Sequence, residues 1–290
     1  MKVLILGAGG LIGHKLFQVL GQNLDTYAAL HHSSDHSLFD SPKVISNVDV
    51  LEFEKITSLI EEYDFDVILN CVGITKRKPE INNLEMAISV NSLFPHKLAA
   101  WAGRTGRRVI HFSTDCVFDG EAGNYSETSN TTGTDNYGKT KALGEINYPH
   151  SLTIRSSFIG RELKDRTELL EWCLSCKGQQ IKGFDRAFYS GVSTIYMARV
   201  VMQIITEYRD LSGLYQLATK QPISKFDLLK QMNKSFNLDI EIEKDSSFET
   251  MPTLDGTQLK NKLSLSVPGW SDMLDELAAE TMYDQMVQAS

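Results

Sequence analysis

The stretch Lys2-Val3-Leu4-Ile5-Leu6-Gly7-Ala8-Gly9-Gly10-Leu11-Ile12-Gly13 decides the fold of this chain. Its first five residues, apolar from Val3 onward, form the short run expected of a strand buried on both faces of a parallel sheet. Gly7, Gly10 and Gly13 follow at intervals of three, and His14-Lys15-Leu16-Phe17-Gln18-Val19-Leu20 continues at helical spacing. Strand, glycine turn and helix in that order are the context that a dinucleotide fingerprint requires. Missing side chains let the backbone approach a pyrophosphate, and the helix N-terminus favours its charge. On this reading Gly7, Gly10, Leu11, Ile12 and Gly13 contact a dinucleotide cofactor.

Strands and helices keep alternating downstream. A second strand fits residues 26–30, and in an NAD-binding chain an acidic residue at its end would hydrogen-bond the ribose 2'-hydroxyl. Here that end reads His31-His32-Ser33-Ser34. No carboxylate stands there to repel a 2'-phosphate, and His32 and Ser33 offer donors, so NADP is favoured over NAD. Residues 44–46 suggest a third strand, with Asp49 and Val50 placed just beyond it for the adenine end. Residues 52–63 have a helical pattern. Asp66-Val67-Ile68-Leu69-Asn70 is a further buried strand, and Cys71-Val72-Gly73 at its end complete the expected cofactor contacts. Repeated alternation calls for right-handed crossovers and a parallel sheet, hence an α/β, Rossmann-type doubly wound fold.

Ile74-Thr75-Lys76-Arg77-Lys78-Pro79 is a compact basic loop in an acidic chain. It belongs beyond the carboxyl ends of the strands, where it is either a substrate phosphate site or a solvated charge cluster. Residues 85–102 carry a helical apolar stripe interrupted by Pro95. Proline has no N–H, so the Asn91 carbonyl loses its helix partner and is open to an ordered water, unless the helix simply kinks. Arg108-Val109-Ile110-His111-Phe112 is the next strand, and Ser113-Thr114-Asp115-Cys116-Val117-Phe118-Asp119-Gly120 emerges at its carboxyl end. A hydroxyl there is placed to donate to a ligand carbonyl. A long loop over 119–135 leads to Tyr137-Gly138-Lys139-Thr140-Lys141, which opens a helix. Tyr137 and Lys141, four apart, share one face. The ammonium is expected to lower the phenol's pKa toward working pH, so that the pair can donate a proton.

After a strand at 152–155 the pattern loosens. Helices are expected over 168–176, 192–205, 223–236 (started by Ser224) and from 271 to 280, with a strand at 214–217. Residues 1–155 with part of 184–212 are read as the NADP-binding domain. Residues 156–183 and 213–290 are read as a smaller C-terminal α/β substrate-binding domain.

With 290 residues, 42% hydrophobic and 23% charged, the chain has enough apolar material for a sizeable core. A formal net charge of −8 excludes a general nucleic-acid or anionic-membrane partner, which would be repelled at long range. The longest apolar runs, 67–72 and 200–205, are too short to span a bilayer. Met1-Lys2 leads straight into the first strand, so a cytoplasmic protein is expected. Of the four cysteines, Cys173 and Cys176 form a single C-x-x-C without a second pair or a histidine partner, which reads as packing thiols and not as a metal site.

The run 113–120, the later Tyr137-x-x-x-Lys141 and the glycine spacing together resemble the extended short-chain dehydrogenases/reductases. Within them the closest resemblance is to the dTDP-4-dehydrorhamnose reductase family. It covers the first 155 or so residues well. It extends more loosely over Ile154-Arg155-Ser156-Ser157-Phe158, Gly191-Val192-Ser193-Thr194 and Ile223-Ser224-Lys225. The resemblance implies a nucleotide-linked 4-keto-6-deoxysugar substrate, reduction by NADPH or NADH, and a place in deoxysugar and surface-polysaccharide biosynthesis. Carried onto this chain, it makes Thr114 the residue holding the keto oxygen and Tyr137 its proton donor. Lys141 binds the nicotinamide ribose, and the Asn91 carbonyl supports a water. Phe158, Thr75, Lys76, Asp115 and Cys116 fall near the substrate. Cys116 stands where the family typically has tyrosine, and the Lys76-Arg77-Lys78 loop lies outside its usual motif. Alternatives within reach of the same residues are a nucleotide-sugar epimerase or dehydratase, for which Asp115 supplies half of an acid/base pair, and a catalytically silent NADP-binding regulatory subunit. A homodimer is compatible with all three.

Overall fold

Helices cover both faces of the central strands, which is why those strands read as near-continuous apolar runs. The computed structural model describes residues 1–33 and 37–280. The chain begins with β1 (Lys2–Leu6), α1 (Gly13–Leu20), β2 (Asp25–Ala29), β3 (Val44–Ile45), α2 (Phe53–Tyr63) and β4 (Val67–Asn70). It continues through α3 (Leu84–Ile88), α4 (Phe94–Thr105), β5 (Arg108–Ser113), α5 (Asn136–Leu143), β6 (Ser151–Arg155) and β7 (Phe158–Ile159). Then come α6 (Leu169–Ser175), β8 (Gln180–Tyr189), β9 (Val192–Ser193), α7 (Thr194–Glu207) and β10 (Gly213–Gln216). The described chain ends with β11 (Ile223–Ser224), α8 (Lys225–Phe236), β12 (Glu241–Thr250), α9 (Thr257–Leu263) and α10 (Trp270–Ala278).

Seven strands pair in the order β10-β6-β5-β4-β1-β2-β3, all parallel. Successive side chains of a strand point to opposite faces. Val3 and Ile5 accordingly join the core under α1 and α7, while Leu4 and Leu6 join the core under α2 and α4. From β1 the chain winds outward one way to β2 and β3 and then returns to β4 and winds the other way. The β1/β4 boundary is therefore the topological switch point, whose carboxyl edge opens a crevice for ligands.

A three-stranded sheet, β11-β8-β12, and the short β7-β9 pair make up a smaller layer beside that edge. The sequence reading missed β8 and β12. Neither is an apolar run: Glu241-Ile242-Glu243-Lys244-Asp245 is charged because most of β12 faces solvent. The reading also assigned everything from 213 onward to the second domain. Instead β10 pairs with β6 from Gly213↔Leu152 to Gln216↔Arg155 and closes one edge of the large sheet.

The helix expected over 85–102 is not continuous. It breaks into α3, a π-helical turn over Ser89–Leu93, and α4 with Pro95 in its first turn. Proline is tolerated in a first turn, where its missing N–H would lack a partner anyway. The wider turn delivers Asn91 to the site. Side-chain caps fix other helix starts: Asp135 accepts from the Gly138 N–H at 2.6 Å, and Ser224 accepts from the Asp227 N–H at 3.0 Å.

Candidate active site

The glycine turn lies at the switch point. Gly7 has φ +77°, a conformation glycine adopts without strain, and it abuts the Cys71-Val72 backbone. A Cβ on Gly13 would collide with the Gly7 carbonyl, so α1 packs against the turn only because both positions are glycine. Gly10 donates its N–H to the Gly7 carbonyl at 3.1 Å. No side chain caps the start of α1. Gly7, Gly10, Leu11, Ile12 and Gly13 thus form one cradle with Cys71, Val72 and Gly73 at its wall.

At the neighbouring edge His31 and Asp49 approach at 4.0 Å and the His31 and His32 rings lie 4.1 Å apart. His32 and Ser33 are exposed there, while Ser34 lies outside the described residues. Asp49 also accepts from the Leu51 N–H at 2.9 Å, closing its own turn. Val50 is turned into the core between the sheet and α2, so its side chain does not line the adenine end.

The second half of the site stands on β5 and α5. Thr114 leaves the end of β5, and its hydroxyl accepts from the Cys116 N–H at 3.1 Å and lies 3.1 Å from Asp115 Oδ1. The Tyr137 phenol lies near enough to that hydroxyl for Thr114 to act on its titration. Burial pushes the Tyr137 phenol well above its ordinary value, and Cys116, Asp115 and Glu168 push the same way against Thr114. Lys141 lies one helical turn further along α5. Its Nζ donates to the Phe112 carbonyl at 2.7 Å and meets His111 Nε2 at 3.2 Å. These contacts hold the lysine against the end of β5. Burial lowers Lys141 itself to about 8, with Glu145 and Cys71 opposing.

Asn91 is fully buried and acts through its side chain. Oδ1 accepts from the Ile74 N–H at 2.8 Å, and Nδ2 donates to the Ile74 carbonyl at 3.0 Å and to Thr140 Oγ1 at 3.1 Å. Its carbonyl presses on Gly144, where any Cβ would collide with it. The π-helical turn thus brings the end of α5 close to that carbonyl. Asn91 is a brace between the basic loop and α5.

The basic loop divides. Lys76 reaches into the site and donates to Cys116 Sγ at 3.3 Å, whereas Arg77 pairs with Glu168 at 3.2 Å and Lys78 with Asp165 at 2.5 Å across the cleft. Burial raises the Cys116 thiol to about 11, so it is a neutral partner. Lys225, at the start of α8, faces Lys76, Asp115, Cys116 and Arg77. Thr75 lies in the same loop, its carbonyl accepting from the Lys78 N–H at 3.1 Å. Phe158 on β7 stands edge-on to the Phe112 ring at 6.2 Å. Sequence reasoning gave no role to His111 or Lys225, although a histidine inside an apolar strand is itself a signal. Cys173 and Cys176 are free and buried in the core, and no metal-holding cluster of His, Cys, Asp or Glu occurs among the described residues. Nor is any described helix long and apolar enough to cross a membrane.

A doubly wound sheet whose switch point carries the glycine cradle, with threonine, tyrosine and lysine converging beside it, defines an extended short-chain dehydrogenase/reductase. More narrowly, the chain belongs to the family described as the RmlD substrate binding domain, whose model matches residues 1–282. It is similar to a probable low-salt glycan biosynthesis reductase from Haloferax volcanii, at 26% identity over 96% of this chain and 98% of that protein. It is also similar to a dTDP-4-dehydrorhamnose reductase from Aggregatibacter actinomycetemcomitans, at 28% identity over 78% of this chain and 76% of that one. Among solved structures, the dTDP-4-dehydrorhamnose reductase from Bacillus anthracis in complex with NADP shares the fold with a TM-score of 0.78. The two are 18% identical, with 95% and 98% of the chains covered.

Proposed function

We propose that the protein is an NAD(P)H-dependent reductase of a nucleotide-linked 4-keto-6-deoxysugar, acting in the cytoplasm in deoxysugar and polysaccharide biosynthesis. The observation that carries this reading is the meeting of Thr114 and Tyr137 at the edge of the crevice that holds the glycine cradle. The relatives named as reductases and the neighbour in complex with NADP support it.

The residues at the switch point fit a dinucleotide: side chains are missing where a pyrophosphate would lie, and the start of α1 keeps its N–H groups clear of side-chain caps. The cradle and the Cys71-Val72-Gly73 wall would hold it, with His32 and Ser33 toward the ribose phosphate. When bound, such a cofactor supplies a hydride to the sugar carbonyl carbon. Thr114 orients the carbonyl oxygen, and Tyr137, kept as a neutral phenol by burial, gives that oxygen its proton. Lys141 anchors the ribose side of the site. Lys76 and Lys225 set a positive field over Cys116 and Asp115, suited to the diphosphate of a nucleotide sugar. Residues of the small β11-β8-β12 layer and α8 provide the substrate side, and β10 remains with the cofactor side.

Incubation with NADPH or NADH and dTDP-, UDP- or GDP-linked 4-keto-6-deoxysugars, followed by loss of cofactor absorbance, tests the reading. Stoichiometric oxidation is expected with at least one of them. Tyr137→Phe should slow it by roughly 10²–10⁴-fold, the usual contribution of general acid catalysis. Turnover without net cofactor consumption would point to an epimerase or dehydratase, and tight binding of cofactor without any turnover to a silent subunit.

A further inference from the structure

His14, the second residue of α1, is fully buried and has no part in the chemistry assigned to the site. We infer that His14 is a positioning residue for the cofactor: by holding the Gly10 carbonyl it aims the Leu11 N–H of the glycine turn at the pyrophosphate, a role that depends on the dinucleotide-binding reading proposed above.

His14 grips that carbonyl twice. Its ring Nδ1 lies 2.8 Å from the Gly10 carbonyl oxygen, and its backbone N–H reaches the same oxygen at 3.2 Å. A carbonyl oxygen only accepts, so Nδ1 carries a hydrogen and donates it. The carbonyl and the N–H of a trans peptide point opposite ways. With the Gly10 oxygen drawn toward the buried ring, the Leu11 N–H of the same peptide faces out of the turn. The N–H groups of Leu11 and Ile12 find no protein partner among the described residues, and no side chain caps α1.

Little else fixes that peptide. Gly10 is exposed, and a Cβ placed on it would meet only the Gly7 carbonyl oxygen, at 3.5 Å. The Gly10 N–H is engaged by the same Gly7 carbonyl at 3.1 Å, which steadies the peptide before Gly10 and leaves the one after it to His14. Glycine has the widest backbone freedom of any residue, so a Gly10–Leu11 peptide without an anchor would sample several orientations. The anchor itself is rigid: His14 belongs to a helix whose Leu16 and Leu20 are fully buried, and its donor cannot shift unless the helix does. A phosphate oxygen therefore meets an N–H already aimed at it, and ordering the turn costs nothing further on binding.

Titration of the protein with NADPH and with NADH, followed by nicotinamide fluorescence, tests this when thermal unfolding of the cofactor-free protein is run beside it. His14→Phe keeps a ring and loses the donor; affinity should fall about 10-fold, the lower end for a hydrogen bond to a charged group. His14→Asn restores an N–H at the Nδ1 position and should recover most of that loss. His14→Gln places its N–H at the Nε2 position and should not. Equal affinities in the Asn and Gln variants, following their loss of thermal stability, are what a packing role alone would give and would overturn the inference. If the variants do not fold, long-range ¹⁵N NMR of the parent protein decides: a His14 ring without hydrogen on Nδ1 refutes it. A parent protein that binds neither NADPH nor NADH sinks the dinucleotide reading and this role together, whereas tight binding left unchanged in His14→Phe sinks this role alone.

Discussion

Glu145 grips Arg155 in a two-pronged pair, Oε1 to Nε and Oε2 to Nη2, both at 2.6 Å. Ser113 donates to the same Oε1 at 2.7 Å. The three residues tie the end of α5 to the carboxyl ends of β5 and β6, so the helix that carries Tyr137 and Lys141 is fastened to the strand that delivers Thr114. Both members of the pair are buried. Removing one partner of a buried pair leaves an uncompensated charge and typically costs about 3–5 kcal/mol. Glu145→Gln is expected to lose that order of stability in urea unfolding. Glu52→Gln, which breaks the exposed i,i+3 pair with Lys55, should stay within about 1 kcal/mol of the parent. Equal losses in the two variants would refute the claim that α5 is held in place by this buried pair.

Gly144 follows α5 where the helix lies against the Asn91 carbonyl. A methyl group there has nowhere to go, because its nearest neighbours are the backbone of Asn91 and Ser92 and not the end of a flexible side chain. Gly144→Ala should cost about 1–3 kcal/mol, the usual range for overpacking. Because the displaced helix carries the proton donor, it should also depress the rate with each keto sugar by the same factor. Thermal unfolding and initial rates measured on one preparation check both halves. A stabilised Gly144→Ala variant, the ordinary outcome of replacing glycine at an open helix end, would show that the contact is loose.

Much of this was legible in the sequence where local chemistry and tertiary structure agree. The glycine turn, the apolar strands β1, β4 and β5, and the Tyr137-Lys141 spacing each carry their own signal within a few residues. What escaped depends on partners far along the chain. β8 and β12 are separated by some sixty residues in pairing, from Gln180↔Glu241 onward, and are polar because one side faces water. Lys225 reaches the site only because α8 starts beside Cys116. The contacts of Lys141 with Phe112 and His111 are decided by β5 and leave no trace in a Tyr-x-x-x-Lys pattern. Asn91 was found for its backbone and works through its side chain, since the π-helical turn that rotates it cannot be told from a kink by periodicity.

Lys76 is the cation of the basic loop that points into the site; Arg77 and Lys78 spend their charge on Glu168 and Asp165. Its own partner is a neutral thiol 3.3 Å away, a weak acceptor that an anionic substrate group would readily replace. A charge-assisted hydrogen bond contributes about 1.5–3 kcal/mol, equivalent to roughly 10–100-fold in affinity. Because the nucleotide's phosphates do not react, that energy is felt equally in ground and transition states. Lys76→Met should therefore raise KM about 10-fold or more and leave kcat nearly unchanged. Arg77→Met, which removes an exposed ion pair, should move KM by less than about 5-fold. A Lys76→Met variant with normal KM and a reduced kcat would relocate Lys76 from the phosphates to the reacting carbonyl.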